Sequence, residues 1–444
     1  MSFITFQVGQ CGNQVGQTLY EFLMGEMINA PPASQAVTGE TFFNYNPKTD
    51  KYVARSILVD MEPKVINECY TSQKIKNLWE YDKNMSFYKQ EGSGNNWAFG
   101  HNIHGPDCRE PVLELFKRQL ERTDYLDSVI FFQSLAGGTG SGLGSYLLEA
   151  VRDEFPDVCI MNIAVVPHLT GEVIVQNYNA TFTLSKLYEH SDAILLIQND
   201  LLHTTCKDLL NLPKPNLNDM NKVMATMLAS FLYPVLSDKK KSFFSPLQNT
   251  LSVSDLLNDL LVTNPLYKLL SLKNLPQMPE KDKAFSSNLW SALEKRLFQM
   301  AISNTTEGNT NWTMKPTSQG ANKSIANLLI VRGESFNAKG DVEKTEKDYN
   351  FPLIKLKEMY STKVSNAHMI IKDNHHFNNN FKSLTLISNS QANVKDLEVV
   401  TRNTYRMTHA KAYTYQYEKY GLTLDDFEEA LARVEQVYYN YSQL

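Results

Sequence analysis

Short apolar runs alternate with amphipathic stretches over the first two hundred residues. Runs rich in β-branched and aromatic residues predict strands at 3–8, 56–61, 129–134, 158–166 and 193–197. Helical spacing occurs between them, over 10–27 and at Leu143, Tyr146, Leu147, Ala150 and Val151. Continuous apolar strands that alternate with helices predict a parallel sheet covered on both faces. Ligands of such sheets bind beyond the carboxyl ends of the strands.

The rest of the chain predicts a long helix, a mixed region and a helical end. Met220 to Leu232 keep helical spacing until Pro234, and 235–250 and 303–323 look like loops. Strand-like runs follow at 325–331 and 384–387, and 423–426 is a capping-box variant that opens an amphipathic helix. We expect that helix to pack on its own domain rather than on a partner.

These patterns predict an α/β protein with three parts. Residues 1–215 form a Rossmann-like domain with a parallel sheet. Residues 216–392 hold a central helix and an intermediate mixed α/β domain, and residues 393–444 form a C-terminal helical hairpin.

Composition and charge exclude several classes of protein. The formal net charge of the 444 residues is −5, which leaves no electrostatic footprint for nucleic acid. The five cysteines are odd in number and widely spaced, so they indicate neither a disulfide framework nor a zinc site. The apolar runs are too short to span a bilayer, and the N-terminus does not read as a signal peptide. We therefore expect a soluble, intracellular protein.

A glycine-rich turn between a strand and a helix is the sharpest chemical signal. Residues 134–142 read SLAGGTGSG, and glycines let backbone N–H groups crowd a phosphate at a helix N-terminus. We expect Gly138 and Gly140 to leave room that a Cβ would fill, or to need positive φ. The turn matches neither GxxxxGK[ST] nor GxGxxG. A strand–helix turn without a ligand therefore stays an alternative.

Other strand ends carry polar groups as well. A glycine turn at 9–16 holds Gln10, Cys11 and Gln14, and a third small-residue loop spans 92–98. Asp60 and Glu62 follow another strand, two residues apart and therefore facing one way. Carboxylates beside phosphates make sense mainly when Mg²⁺ or its water lies between them. Together these segments predict a nucleotide site.

The same segments resemble the tubulin superfamily, whose signature is GGGTGSG. The GQCGNQ start, the GNNWA loop and the order of later motifs are similar over nearly the whole chain. Within that superfamily the chain looks most like the delta type, through Ala136 in place of the first signature glycine and the stretch VDMEPKVIN at 59–67.

The resemblance implies a site for GTP or GDP with Mg²⁺. It places Asp60 and Glu62 near the metal, Glu172 and Gln176 near the ribose, and Asn199 and Asn221 at the guanine edge, where an amide offers both a donor and an acceptor. Gln176 replaces a common glutamate, so we expect a weaker ribose contact. Helix capping is the alternative for Asn221. The remaining nucleotide-binding positions are Gln10, Cys11, Gln14, Asn95, Ser134, Ala136, Gly137, Gly138, Thr139, Gly140, Ser141 and Gly142.

Two positions depart from the family pattern. Leu217 stands where tubulins commonly stack an aromatic ring on the base. Asn258, with Asp259 beside it, stands where alpha-tubulin carries a glutamate that enters the next subunit's site. We expect at most slow GTP hydrolysis, completed by a neighbouring subunit.

The function that the resemblance implies is cytoskeletal, in the cytoplasm at centrioles and basal bodies and linked to triplet microtubules. Its partners would be other tubulins or centriolar proteins, without nucleic acid or membrane, and self-assembly stays open. A gamma-like nucleator or another lattice tubulin is the alternative within the superfamily. A nucleotide-using metabolic enzyme is the other, but the loops show no catalytic acid, base or nucleophile for it.

Overall fold

Alternating strands and helices build one large sheet covered on both faces. The computed structural model describes residues 2–71, 78–168, 171, 173–235, 252–261, 266–278, 289–333, 358–361, 367–373 and 375–444. The predicted loop at 235–250 lies outside these residues except for Val235. The strands are β1 Ser2–Val8, β2 Phe43–Asn46, β3 Lys51–Ala54, β4 Ser56–Asp60, β5 Trp79–Glu80, β6 Ser86–Tyr88, β7 Leu126–Ser134, β8 Ile160–Val166, β9 Ala193–Gln198, β10 Leu269–Leu275, β11 Ser324–Gly333, β12 Ala367–Asp373 and β13 Lys382–Ser390.

The helices follow the predicted order. They are α1 Gly9–Asn29, α2 Pro32–Phe42, α3 Pro63–Thr71, α4 Gly105–Glu121, α5 Gly144–Glu154, α6 Gln176–His190, α7 Asn199–Thr204, α8 Leu217–Leu232, α9 Val253–Leu261, α10 Trp290–Ser303, α11 Val394–His409, α12 Tyr415–Glu418 and α13 Leu424–Ser442. Single π-helical turns precede α4 and α5 at Phe99–His104 and Thr139–Leu143. In the described ranges, no helix combines the length and the apolar character that crossing a bilayer requires.

The main sheet has ten strands within the described residues, in the order β12-β11-β13-β10-β9-β8-β7-β1-β4-β6. The seven neighbouring strands β10, β9, β8, β7, β1, β4 and β6 all pair in parallel. Strand β13 pairs antiparallel with both β10 and β11. The predicted α/β fold with a parallel sheet is therefore confirmed. Strand β10 belongs to the predicted intermediate domain, yet it continues the same sheet beside β9. The domain boundaries at residues 215 and 392 therefore stay predictions.

The chain runs outward from β1 in two directions, to β4 and β6 on one side and to β7, β8 and β9 on the other. Such a switch point opens a crevice beyond the carboxyl ends of the central strands. The strand ends that meet there are Val8, Asp60 and Ser134. The fold therefore brings three of the polar loops to one edge of the sheet.

Two hydrophobic layers support that edge. Helices α1, α3, α8 and α9 cover one face of the sheet, and α4, α5, α6, α11 and α13 cover the other. The predicted long helix is confirmed as α8, which Asn216 caps through Asp219. The C-terminal capping box is also confirmed, because the Thr423 N–H donates to Asp426 Oδ2 at 2.6 Å. As predicted, α13 packs on its own chain, through Val434, Val437 and Tyr441.

Candidate functional site

A cavity of about 400 Å³ lies beyond the carboxyl ends of the central strands. Most of the predicted site residues line it. Those brought together are Gln10, Cys11, Gln14, Asp60, Glu62, Asn95, Ser134, Gly137, Gly138, Thr139, Gly140, Asn199, Leu217 and Asn221. The position agrees with the rule that open α/β sheets bind ligands at their switch point.

The glycine turn joins β7 to α5 and is shaped by its own hydrogen bonds. Ser134 Oγ accepts from the Ala136 N–H at 3.2 Å, and the Gly142 N–H donates to the Gly138 carbonyl at 2.8 Å. Ser141 Oγ donates to the Gly137 carbonyl. Ser141 and Gly142 are buried and do not line the cavity. Ser141 and Gly142 therefore stabilise the turn through hydrogen bonds within it, while the segment from Gly137 to Gly140 faces the cavity.

The atoms that crowd these glycines belong mostly to neighbouring loops of the same chain. A Cβ on Gly138 would lie 2.7 Å from Ser93 Cβ and the Ser93 carbonyl oxygen, whereas a Cβ on Gly137 would meet nothing within 4 Å. Gly138 has φ of −90°, and Gly140 is not in the left-handed region either. Of the two alternatives for Gly138 and Gly140, positive φ is therefore excluded, and steric crowding remains, most clearly at Gly138. The glycine at 138 allows the 92–98 loop to pack closely, and positive φ occurs instead at Gly9, at +72°.

Asp60 carries a buried carboxylate oxygen that has no hydrogen-bond partner among the described residues. Its Oδ1 accepts from the Met61 N–H at 2.8 Å, whereas its Oδ2 accepts no hydrogen bond from this part of the chain. Burial raises the pKa of Asp60 to about 6, and the hydrogen bond from Met61 opposes that shift. Glu62 is exposed and lines the same cavity. An unpaired carboxylate oxygen beside a phosphate loop fits a divalent cation, because Mg²⁺ binds through one or two carboxylates plus phosphates.

The first two turns of α1 add neutral groups to the cavity. Gln10 and Gln14 offer amides, and burial raises the pKa of the Cys11 thiol to about 12. Cys11 therefore stays a neutral thiol near pH 7 and adds no negative charge beside a phosphate.

Two asparagines lie where α7 and α8 border the cavity. Asn199 is the first residue of α7, directly after β9, and Asn221 is buried in the second turn of α8. Asn216 caps α8, which removes capping as the explanation for Asn221. Leu217, the first residue of α8, is 54% exposed and also lines the cavity. The two amides and the leucine form one wall.

Several predicted residues lie elsewhere. The buried Gln176 donates from Nε2 to the His168 carbonyl at 3.1 Å and is not among the cavity residues. Ala136 is also outside the lining, although its carbonyl accepts from Asn179 at 2.7 Å. Glu172 lies outside the described residues. Asn258 is exposed on α9, away from the cavity, and nothing is described of the Asp259 side chain. The roles of these five residues stay predictions.

The structure also adds residues that sequence reasoning missed. Ser93 and Gly94 line the cavity. They lie in the small-residue loop 92–98, of which only Asn95 is predicted to bind the nucleotide. Met224 follows Asn221 by one helical turn, so helical spacing points to it. Val65 and Val165 are apolar members of the wall, and no chemical signal in the sequence distinguishes them.

Comparisons with known proteins agree with this geometry. Residues 2–207 match the model of the Tubulin/FtsZ family, GTPase domain. Over 469 aligned residues, covering all of both chains, the sequence is 36% identical to the "Tubulin delta chain" of Macaca fascicularis. The chain belongs to the tubulin family. The human "Tubulin delta chain" is also 36% identical over the full length. The "Tubulin beta chain" of Candida albicans is 34% identical over 243 residues, which cover 52% of this tubulin and 53% of that protein.

Membership in the tubulin family gives this chain its cofactor class. The matched region is a GTPase domain, and it contains every strand end that lines the cavity, together with the 134–142 turn. The predictions of the family, the fold and a GTP or GDP cofactor are therefore confirmed at this level. The full-length similarity to delta chains also confirms the predicted type of tubulin.

Proposed function

We propose that the cavity binds a guanine nucleotide, with its phosphates on the 137–140 turn and its base against Asn199 and Asn221. The observation that carries the proposal is that one cavity is lined both by the glycines and hydroxyls of the 134–140 turn and by the amides of Asn199 and Asn221. Amides satisfy both the donors and the acceptor of the guanine edge. Mg²⁺, with its positive charge, would be held by Asp60 and Glu62.

Competition binding tests the choice of base. Purified protein freed of nucleotide should bind GTP far more tightly than ATP, because adenine leaves the two amides with unpaired groups. Asn221→Ala should reduce this preference, whereas the exposed Asn29→Ala on α1 should not. Equal affinity for GTP and ATP in the unmodified protein would contradict the assignment.

We also propose a cytoskeletal role of the delta type. Full-length similarity to delta chains supports this role over that of a gamma-like nucleator or another lattice subunit. The protein would act with other tubulins in the cytoplasm, at centrioles and basal bodies, and contribute to triplet microtubules. A tagged copy in a ciliated cell should concentrate at basal bodies. Uniform incorporation along cytoplasmic microtubules would favour a lattice subunit instead.

Hydrolysis by the isolated chain should be very slow. In the described part of the cavity wall, the acidic side chains are Asp60 and Glu62, which we assign to the metal. The outward position of Asn258 on α9 is consistent with a role at a neighbouring subunit's site. A metabolic enzyme would turn over alone, so GTP turnover by the purified monomer distinguishes the two classes.

A further inference from the structure

Asn179 on α6 connects two loops of the nucleotide site. Its Nδ2 donates to the Asn95 carbonyl at 2.8 Å and to the Ala136 carbonyl at 2.7 Å. Asn95 lines the cavity, and Ala136 directly precedes the cavity-lining Gly137. One buried side chain therefore sets the distance between the 92–98 loop and the glycine turn.

The oxygen of the same side-chain amide also accepts two hydrogen bonds. Asn179 Oδ1 accepts from the Trp97 N–H at 3.0 Å and from Tyr417 Oη at 2.6 Å. Two carbonyls on one side and two donors on the other determine the orientation of the amide. Because Asn179 is fully buried, water cannot replace a lost partner without repacking.

Tyr417 belongs to a stretch that we name the tyrosine segment, residues 411–421. This segment is held against the nucleotide domain at several further points. Asn96 Nδ2 donates to the Gln416 carbonyl at 3.1 Å, and Asn102 Nδ2 donates to the Tyr420 carbonyl at 2.8 Å. The Tyr420 ring stacks on Phe99 with centroids 4.8 Å apart.

We propose that Asn179 is a positioning residue for the phosphate loops and that Tyr417 holds it in place, so that the tyrosine segment supports nucleotide binding. This inference rests on the proposed function of the cavity. Asn179 does not line the cavity, so it acts through Asn95, Ala136 and the loops that carry them. The loops that it joins belong to the phosphate side of the site, remote in sequence from Asn199 and Asn221.

Removing one hydroxyl gives a specific test. Tyr417→Phe keeps the ring in its buried aromatic cluster and deletes only the hydroxyl, which donates to Asn179 Oδ1 at 2.6 Å and lies 3.5 Å from the Val175 carbonyl oxygen. The matched control is Tyr178→Phe, because Tyr178 lies in the same cluster and its Oη donates to the Ala412 carbonyl at 3.0 Å. It removes one bond to the tyrosine segment but leaves the bond from Tyr417 to Asn179, so it separates that bond from general tethering of the segment. We expect Tyr417→Phe to raise the Kd for Mg²⁺-GDP roughly three- to tenfold, and Tyr178→Phe to leave it within about twofold.

Guanosine separates positioning from a general loss of structure. It lacks phosphates, so its Kd should stay within about twofold in both variants, whereas damaged folding would weaken guanosine and GDP equally. An unchanged Kd for GDP in Tyr417→Phe, or an equal loss for guanosine, would overturn the inference. Failure of the unmodified protein to bind GDP would instead overturn the proposed function.

Hydrogen exchange on the unmodified protein provides a second measurement that needs no variant. GDP should slow amide exchange in 95–102 and in the tyrosine segment, because bound phosphates hold the loops that Asn179 joins. Guanosine should slow exchange there much less. If GDP leaves exchange in the tyrosine segment unchanged, the coupling to nucleotide is absent.

Discussion

At the scale of single residues, Leu217 lies at the cavity that we propose for the guanine base. The leucine is 54% exposed at the start of α8 and borders the same cavity as Asn221. In the proposed site, hydrogen bonds from the amides would select guanine, and a flat ring would add affinity by stacking on the base. We therefore expect leucine at this position to leave the choice of base intact and to lower the affinity.

Leu217→Tyr should therefore tighten GTP binding. Base stacking on an aromatic ring is worth roughly 1–3 kcal/mol, so we expect the Kd to fall about fivefold or more. Titration calorimetry with GTP measures the change. Leu289→Tyr is the control, because Leu289 is 48% exposed and does not line the cavity. An unchanged Kd in Leu217→Tyr would show that the base lies elsewhere in the cavity.

At the scale of elements, the glycine turn and the 92–98 loop form one packed unit. Thr139 Oγ1 lies 2.9 Å from Ser93 Oγ, and a Cβ on Gly142 would lie 2.2 Å from the Trp97 carbonyl oxygen. At Gly142 the two backbones therefore pack directly on each other, and the Ser93 and Thr139 hydroxyls join the two elements nearby. The glycines serve the stability of this unit as well as the approach of phosphates.

Neighbouring glycines in this unit should differ in their tolerance of a methyl group. Gly138→Ala should lower the free energy of unfolding by about 1–3 kcal/mol, because the Cβ overlaps Ser93. Gly137→Ala should change it by less than about 0.5 kcal/mol, because the Cβ meets open space. Urea denaturation without nucleotide compares the two. Equal losses would mean that the 92–98 loop does not pack as described.

At the scale of the whole molecule, the nucleotide cavity and α9 present different surfaces of one subunit. Asn258 is exposed on α9 and does not line the cavity. Any contribution of Asn258 to hydrolysis must therefore reach a second subunit. A neutral amide cannot accept a proton as a general base does, which limits that contribution.

Asn258→Glu should raise GTP turnover only in a complex with another tubulin. General-base catalysis typically contributes 10²–10⁴-fold, so we expect an increase on the order of 10²-fold in the complex and none in the isolated chain. Phosphate release with and without the partner provides the measurement. Asn258→Gln is the matched control, because it lengthens the side chain without adding a base. Fast turnover by the unmodified monomer would contradict a site completed in trans.

The sequence by itself determined the class of fold and most of the site. Strand and helix patterns are local, so residues 129–134 of β7 and the long helix α8 could be predicted from spacing alone. Loops that follow parallel strands must meet at one edge of the sheet, which is why separate motifs at Gln10, Asp60 and Gly137 predicted one cavity.

Only the tertiary structure decided which polar groups face that cavity and which hold its walls. Ser141 and Gln176 have the chemistry of site residues, yet both bond within the protein. Asn179 lies 84 residues from Asn95 and 238 from Tyr417 in the chain, so no local pattern connects them. The sequence does not distinguish an amide side chain that binds a ligand from one that binds a loop. Its role depends on which backbone groups lie within about 3 Å of it, and packing between distant elements determines that distance.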